Sequence, residues 1–244
     1  SPPMFFSWST LDAFVVYARN NVYLCNHNND KKQRIMAGLK SLVKDTAIYG
    51  VSSIVGRFLN YLLVPIYVTA MSARSGGYGV VTEVYAWVAL LMVILTYGME
   101  TTFFRYVNKA EENPRRVYST TLIMVGSTSL LFVALGLAFL PQIAGAMGYA
   151  DHPSYIGMMM GVVAMDAFQC IPFAYLRYRK RPFHFVALKL LFIVLNIALN
   201  IVYYVFLGGS DVAYAFLFNL VCTGTIMLLM LPLIKLGGGF DWQV

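Results

Sequence analysis

Arg57, Asp166, Glu83, Glu100 and Arg105 stand within or at the margins of long apolar runs, where a charge must have a partner or a task. Arg57 lies near the middle of DTAIYGVSSIVGRFLNYLLVPIYVTA, residues 45–70, a stretch long and apolar enough to cross a bilayer. On a helix it falls about 18 Å from Asp45, and a guanidinium at that depth costs about 3 kcal/mol on insertion scales. Tyr49, Ser53, Gly56, Asn60 and Tyr67 recur around it at helical spacing and make one polar side. Ile48, Val51, Val55, Leu59, Leu62, Leu63 and Ile66 make the apolar one, and Pro65 should bend the outer end. Such an arginine can hold a phosphate by paired, charge-assisted hydrogen bonds, or it can close an internal ion pair. Asp166 is its candidate counter-charge, at similar depth in another apolar run. That pair is either a permanent salt bridge or one that opens to a substrate phosphate or to a proton on the aspartate.

The remaining polar groups fall into pairs. Glu83, under two turns from one end of its run, is a candidate for gating or coupling or simply reaches interfacial water; Glu100 and Arg105, at the other end, are candidates for an inner gate or for solvated helix-end charges. Asn196 and Asn200, with Tyr203 a turn further, form an inward stripe, and Asn219 and Thr223 repeat the i, i+4 spacing. Both stripes suit interhelical hydrogen bonds or the hydroxyls of a sugar.

The elements that must position these residues are membrane helices. The 244 residues are 59% hydrophobic and 12% charged, with a mean hydropathy of +0.66, against about 25% charged in soluble domains. The net charge of +7 is therefore read through loop positions rather than as nucleic-acid binding. Six spans are expected, at about 46–70, 78–104, 117–140, 154–176, 183–207 and 212–233, in an all-α, polytopic six-helix bundle covering residues 36–236. Lys40 and Lys44, then Arg105, Lys109, Arg115 and Arg116, then Arg177, Arg179, Lys180 and Arg181 all fall on one side of that arrangement. This alternation predicts both termini in the cytoplasm, and it makes the 177–181 cluster a topology determinant. Residues 1–35 differ in character: they are expected to be poorly structured, and are either not native, with translation starting at Met36, or a genuine cytoplasmic extension. Cys25, Cys170 and Cys222 lie far apart without metal-ligand spacing, so no metal is expected.

The runs SSIVGRFLNYLLVPIY and LTYGMETTFFRY, within a likeness from about Gly38 onward, resemble the Wzx-type O-antigen flippases of the multidrug/oligosaccharidyl-lipid/polysaccharide superfamily. The resemblance implies one lobe of a MATE-like two-lobe transporter in the bacterial inner membrane. FDWQV then resembles an inter-lobe linker (237–244), with a C-terminal lobe to follow. It further implies that the partner is an undecaprenyl-pyrophosphate-linked oligosaccharide, flipped for surface polysaccharide synthesis among membrane lipids and polysaccharide assembly proteins. No cofactor, enzyme activity or nucleic-acid partner is expected; coupling to a proton or sodium gradient is left open. The alternatives are a MATE-like drug or cation antiporter, a non-transporting scaffold, and a membrane-embedded polyprenyl-phosphate glycosyltransferase. The last should carry clustered loop acids for a metal and diphosphate, whereas Glu111 and Glu112 are the only adjacent acids.

Overall fold

Proline sets where several of these helices begin. Pro114, Pro153 and Pro182 each open a helix, where the missing N–H is unpaired in any case and the fixed φ is already helical. Asn113 caps the first of these by accepting from the Arg115 backbone N–H at 3.1 Å. The computed structural model describes residues 61, 63–71, 77–108 and 113–233. In chain order its α-helices are α1 (Leu63–Ala70), α2 (Gly77–Thr96), α3 (Met99–Val107), α4 (Pro114–Ala138), α5 (Leu140–Ala146), α6 (Pro153–Tyr178), α7 (Pro182–Ile201) and α8 (Ala213–Met230). A π-helical turn, Val202–Phe206, extends α7.

Five segments are long and apolar enough to cross a membrane: Gly77–Val107, Pro114–Ala138, Pro153–Tyr178, Pro182–Phe206 and Ala213–Met230. The protein is an all-α, polytopic membrane bundle. Most of the 45–70 run lies outside the described residues, as do the 1–35 leader and residues 237–244.

Helix α6 is the axis of the bundle. Fourteen of its 26 residues are buried, on every side of the helix, so it cannot be a lipid-facing element. Helices α2, α3, α4, α5, α7 and α8 all pack on it. Phe216, Val163, Ala167 and Ile171 are fully withdrawn within that core. Exposed Leu130, Leu131, Val194, Phe206 and Leu228 lie on the outer helices, as suits hydrocarbon.

Two elements depart from the expected spans. The 78–104 run is two helices, because Tyr97 (φ 31°) and Gly98 (φ 72°) adopt left-handed conformations that no α-helix continues through. Beyond the break, Met99, Phe103 and Val107 recur every four residues and bury one face of α3 against α4 and α6. The expected loop after residue 140 contains α5, which tolerates Pro141 because it falls in the first turn.

At the other end of α7 the chain turns sharply under Tyr203. A Cβ on Gly209 would sit 2.3 Å from that ring. The ring cannot yield freely, because it stacks on Tyr214 at 4.1 Å and meets Tyr204 edge-on at 4.9 Å. Gly209→Ala should therefore lower stability by about 1–3 kcal/mol through overpacking. Gly79→Ala, with open space at its Cβ, should not. Thermal unfolding of the purified chain in detergent compares the two.

Candidate functional site

Charge gathers beside α6 because three helices deliver it to one place. Glu100 stands in the first turn of α3 and Arg177 in the last turn of α6. Arg177 Nη2 donates to Glu100 Oε1, and each side chain is only 16% exposed. The guanidinium also lies over the rings of Phe104 and Phe185, at 5.5 and 5.7 Å. Its Nε is buried without a hydrogen-bond partner among the described residues. One directional donor of the arginine therefore remains unspent.

Lys189 enters from α7, about 10 Å along that helix from Pro182. Its Nζ lies 4.3 Å from the centre of the Phe173 ring, so the ammonium rests on a π-face. Its charge also acts on Asp166, Arg177 and Glu100. Asp166, half-buried near the middle of α6, lies within electrostatic reach of the exposed Lys189 on α7, with no ion pair between them, and near the Thr223 hydroxyl on α8. Behind Thr223, Asn219 Nδ2 donates to the Tyr85 hydroxyl on α2, and Gln169 Nε2 donates to the Thr223 carbonyl at 3.0 Å. Helices α2, α3, α6, α7 and α8 thus all contribute to one polar seam.

A second polar network lies toward the opposite end. Tyr67 on α1 donates to Asn200 Oδ1 at 2.8 Å, and Asn200 Nδ2 donates to both the backbone and side-chain oxygens of Asn196, each at 2.8 Å. Asn196 and Asn200 are buried and bonded to each other. They act as interhelical cement, and their Nδ2 and Oδ1 groups in these bonds are not offered to a sugar. Tyr203 stands apart from them, in the aromatic stack with Tyr214. Glu83, exposed on α2, accepts from the Tyr149 hydroxyl at 2.8 Å and so ties α2 to the loop before α6. Burial and the Glu83 carboxylate push the Tyr149 phenol up to about 12, which keeps it a donor at neutral pH.

These positions amend the sequence reading. Arg105 is exposed on the opposite side of α3 from the buried face, and Glu100 takes Arg177 as its partner, since five residues along a helix point 140° apart. Arg177 is accordingly more than a topology determinant. Arg57, Asn60, Ser53 and Tyr49 lie outside the described residues; among those described, Asp166 makes no ion pair with Lys189, whose ammonium rests on the Phe173 ring. Lys189 escaped the charge pattern because it belongs to no loop cluster. The signal was its isolation: a single lysine about two turns inside FHFVALKLLFIVLNIALNI. Tyr85 carried no signal, since an aromatic in an apolar helix is ordinarily core.

No protein-family model, curated protein or solved structure matches this chain. The bond between Glu100 and Arg177 should behave as a sheltered pair rather than a surface one. A double-mutant cycle with Glu100→Gln and Arg177→Gln, read by thermal unfolding in detergent, should give a coupling above about 1 kcal/mol, beyond the range of exposed pairs. The same cycle on Glu83 and Tyr149, which is exposed, should give less.

Proposed function

We propose that this chain is one lobe of a membrane transporter that moves an anionic, lipid-linked saccharide from one leaflet to the other. The observation that carries the reading is the pair of basic groups, Lys189 and Arg177, set within or at the end of apolar helices beside one polar seam. Neither is fully committed: Lys189 rests on a ring, and Arg177 retains a free Nε. A phosphate can draw on both, through the unspent Nε donor of the guanidinium and as a point charge at the ammonium. Arg57, on the polar side of the 45–70 run, would add a third basic group. Translocation needs no covalent chemistry: the charged headgroup is held in the protein while the lipid tail stays in hydrocarbon, and a second lobe rocks against this one. The likeness to Wzx-type flippases in SSIVGRFLNYLLVPIY and LTYGMETTFFRY supports the same substrate class, and with it a bacterial cytoplasmic membrane and cytoplasmic termini.

Asp166 and Glu100 favour a second reading, export of a small organic cation in exchange for protons, because each places a carboxylate in the same seam. The two readings differ in the sign of the cargo. Liposomes carrying the full gene product and a fluorescent polyprenyl-pyrophosphate saccharide, assayed by dithionite quenching, decide between them. Flipping is expected, slowed at least about tenfold by Lys189→Gln or Arg57→Ala with insertion intact, equivalent to about 1.4 kcal/mol of lost stabilisation. Proton-driven uptake of an organic cation without flipping of the saccharide would instead establish the antiporter.

A further inference from the structure

The connection between α6 and α7 is Arg179, Lys180 and Arg181, and every residue of it is basic and exposed. Lys180 takes a left-handed conformation (φ 51°) that closes the turn. Among the described residues, Glu100 is taken by Arg177, and Arg179 and Arg181 have no ion pair. The sequence offers them no acid nearby: none occurs between Asp166 and Asp211, whereas the basic connection between α3 and α4 carries Glu111 and Glu112 beside its arginines. The turn therefore needs an anion from outside its own helices.

Beneath it lies a reciprocal clasp. Arg177 on α6 lies over Phe185 on α7, Lys189 on α7 lies over Phe173 on α6, and the two rings meet edge-on at 5.3 Å. The junction that presents Arg179 and Arg181 is thus preorganised. Directly beyond the turn α7 shows apolar surface: Phe183 is 72% exposed, and exposed Ala187, Leu191 and Val194 follow it at helical spacing. Cations at a helix end, continuous with an outward apolar stripe, match an amphiphile with a charged head. We propose that the α6–α7 turn and this stripe form a seat for an anionic phospholipid, its phosphate against Arg179 and Arg181 and its chains along Phe183, Leu191 and Val194. A soluble anion has no use for the stripe, and a zwitterionic lipid brings its own ammonium to the same cations. Such a seat belongs to the surrounding bilayer and is indifferent to which solute the protein moves.

The test contains no saccharide. Phe183→Trp places a fluorophore at the turn, and Phe206→Trp, at a position 78% exposed at the far end of the same apolar segment, is its reference. Each variant of the full chain is reconstituted in phosphatidylcholine vesicles containing an equal, minor fraction of brominated phosphatidylglycerol or brominated phosphatidylcholine, and the emission of the unsubstituted chain is subtracted. At 183 the anionic lipid should quench at least about fivefold more effectively, the enrichment given by one engaged arginine at about 1 kcal/mol. At 206 the two lipids should be equivalent. Arg179→Gln or Arg181→Gln, each made alone so that the remaining basic residues keep the topology, should lower the preference at 183. Equal quenching by both lipids at 183 would overturn the seat, as would the same preference at 206 or a preference that survives both arginine changes. Quenching by neither lipid would mean that protein covers this face, and loss of the preference to inorganic phosphate at constant ionic strength would mean a site for a soluble anion; either result overturns it too.

Discussion

A charge inside hydrocarbon has no water to fall back on, and that constraint shapes the interior of this bundle. Each charged side chain at mid-helix costs about 2.5–3.5 kcal/mol on insertion scales, so an unpaired one is a standing penalty. Glu100 and Arg177, at the start of α3 and the end of α6, stand where that cost is smaller and remove what remains by closing a direct pair that is largely withdrawn from water. Phe104 and Phe185 then cover the guanidinium, replacing solvent with π-faces. Breaking one side of such a pair strands the other, which makes the junction of α3 with α6 far less tolerant of substitution than the exposed link between Glu83 and Tyr149.

The same constraint explains why α6 is central. A helix that carries Asp166, Gln169 and Arg177 along its length can lie in a membrane only if other helices surround it. Helix α2 brings Tyr85, α3 Glu100, α7 Lys189 and α8 Thr223 with Asn219. The apolar packing that buries α6 and the polar seam beside it are thus two aspects of one arrangement. The Tyr97–Gly98 break belongs to it as well, since it lets α3 leave the line of α2 and set its buried face on α4 and α6.

Class and helix positions were legible because hydropathy is a sum over about twenty residues and tolerates local error. The segments Pro153–Tyr178 and Pro182–Phe206 are each opened by a proline that sequence alone marks. Pairing was much less legible. Glu100 and Arg177 lie 77 residues apart, and nothing in the order of the chain says that the start of α3 meets the end of α6. Asp166 was recognisable as a buried charge, but its neighbours are fixed by how α7 and α8 rotate about their own axes. Hydropathy does not encode that rotation. Lys189 shows the cost of reading lysines only as loop markers: in a helix with little burial, one that does not belong to a loop cluster is the informative one.

The Glu100–Arg177 pair and Lys189 differ in a way that bears on motion. Glu100 and Arg177 are in contact and sheltered, so separating them is expensive and they hold α3 to α6. Lys189, exposed on α7, instead rests its ammonium on the Phe173 ring, and no ion pair fixes it among the described residues. Phe173 meets Phe185 edge-on at 5.3 Å, and Phe185 in turn lies under the Arg177 guanidinium, so the two cations sit on neighbouring rings of one aromatic cluster. A third charge can draw a lysine from an exposed ring at a cost of only about 0.5–1 kcal/mol, far less than opening the sheltered pair. The lysine is therefore the side chain free to respond, and the Glu100–Arg177 pair is the fixed frame beside it.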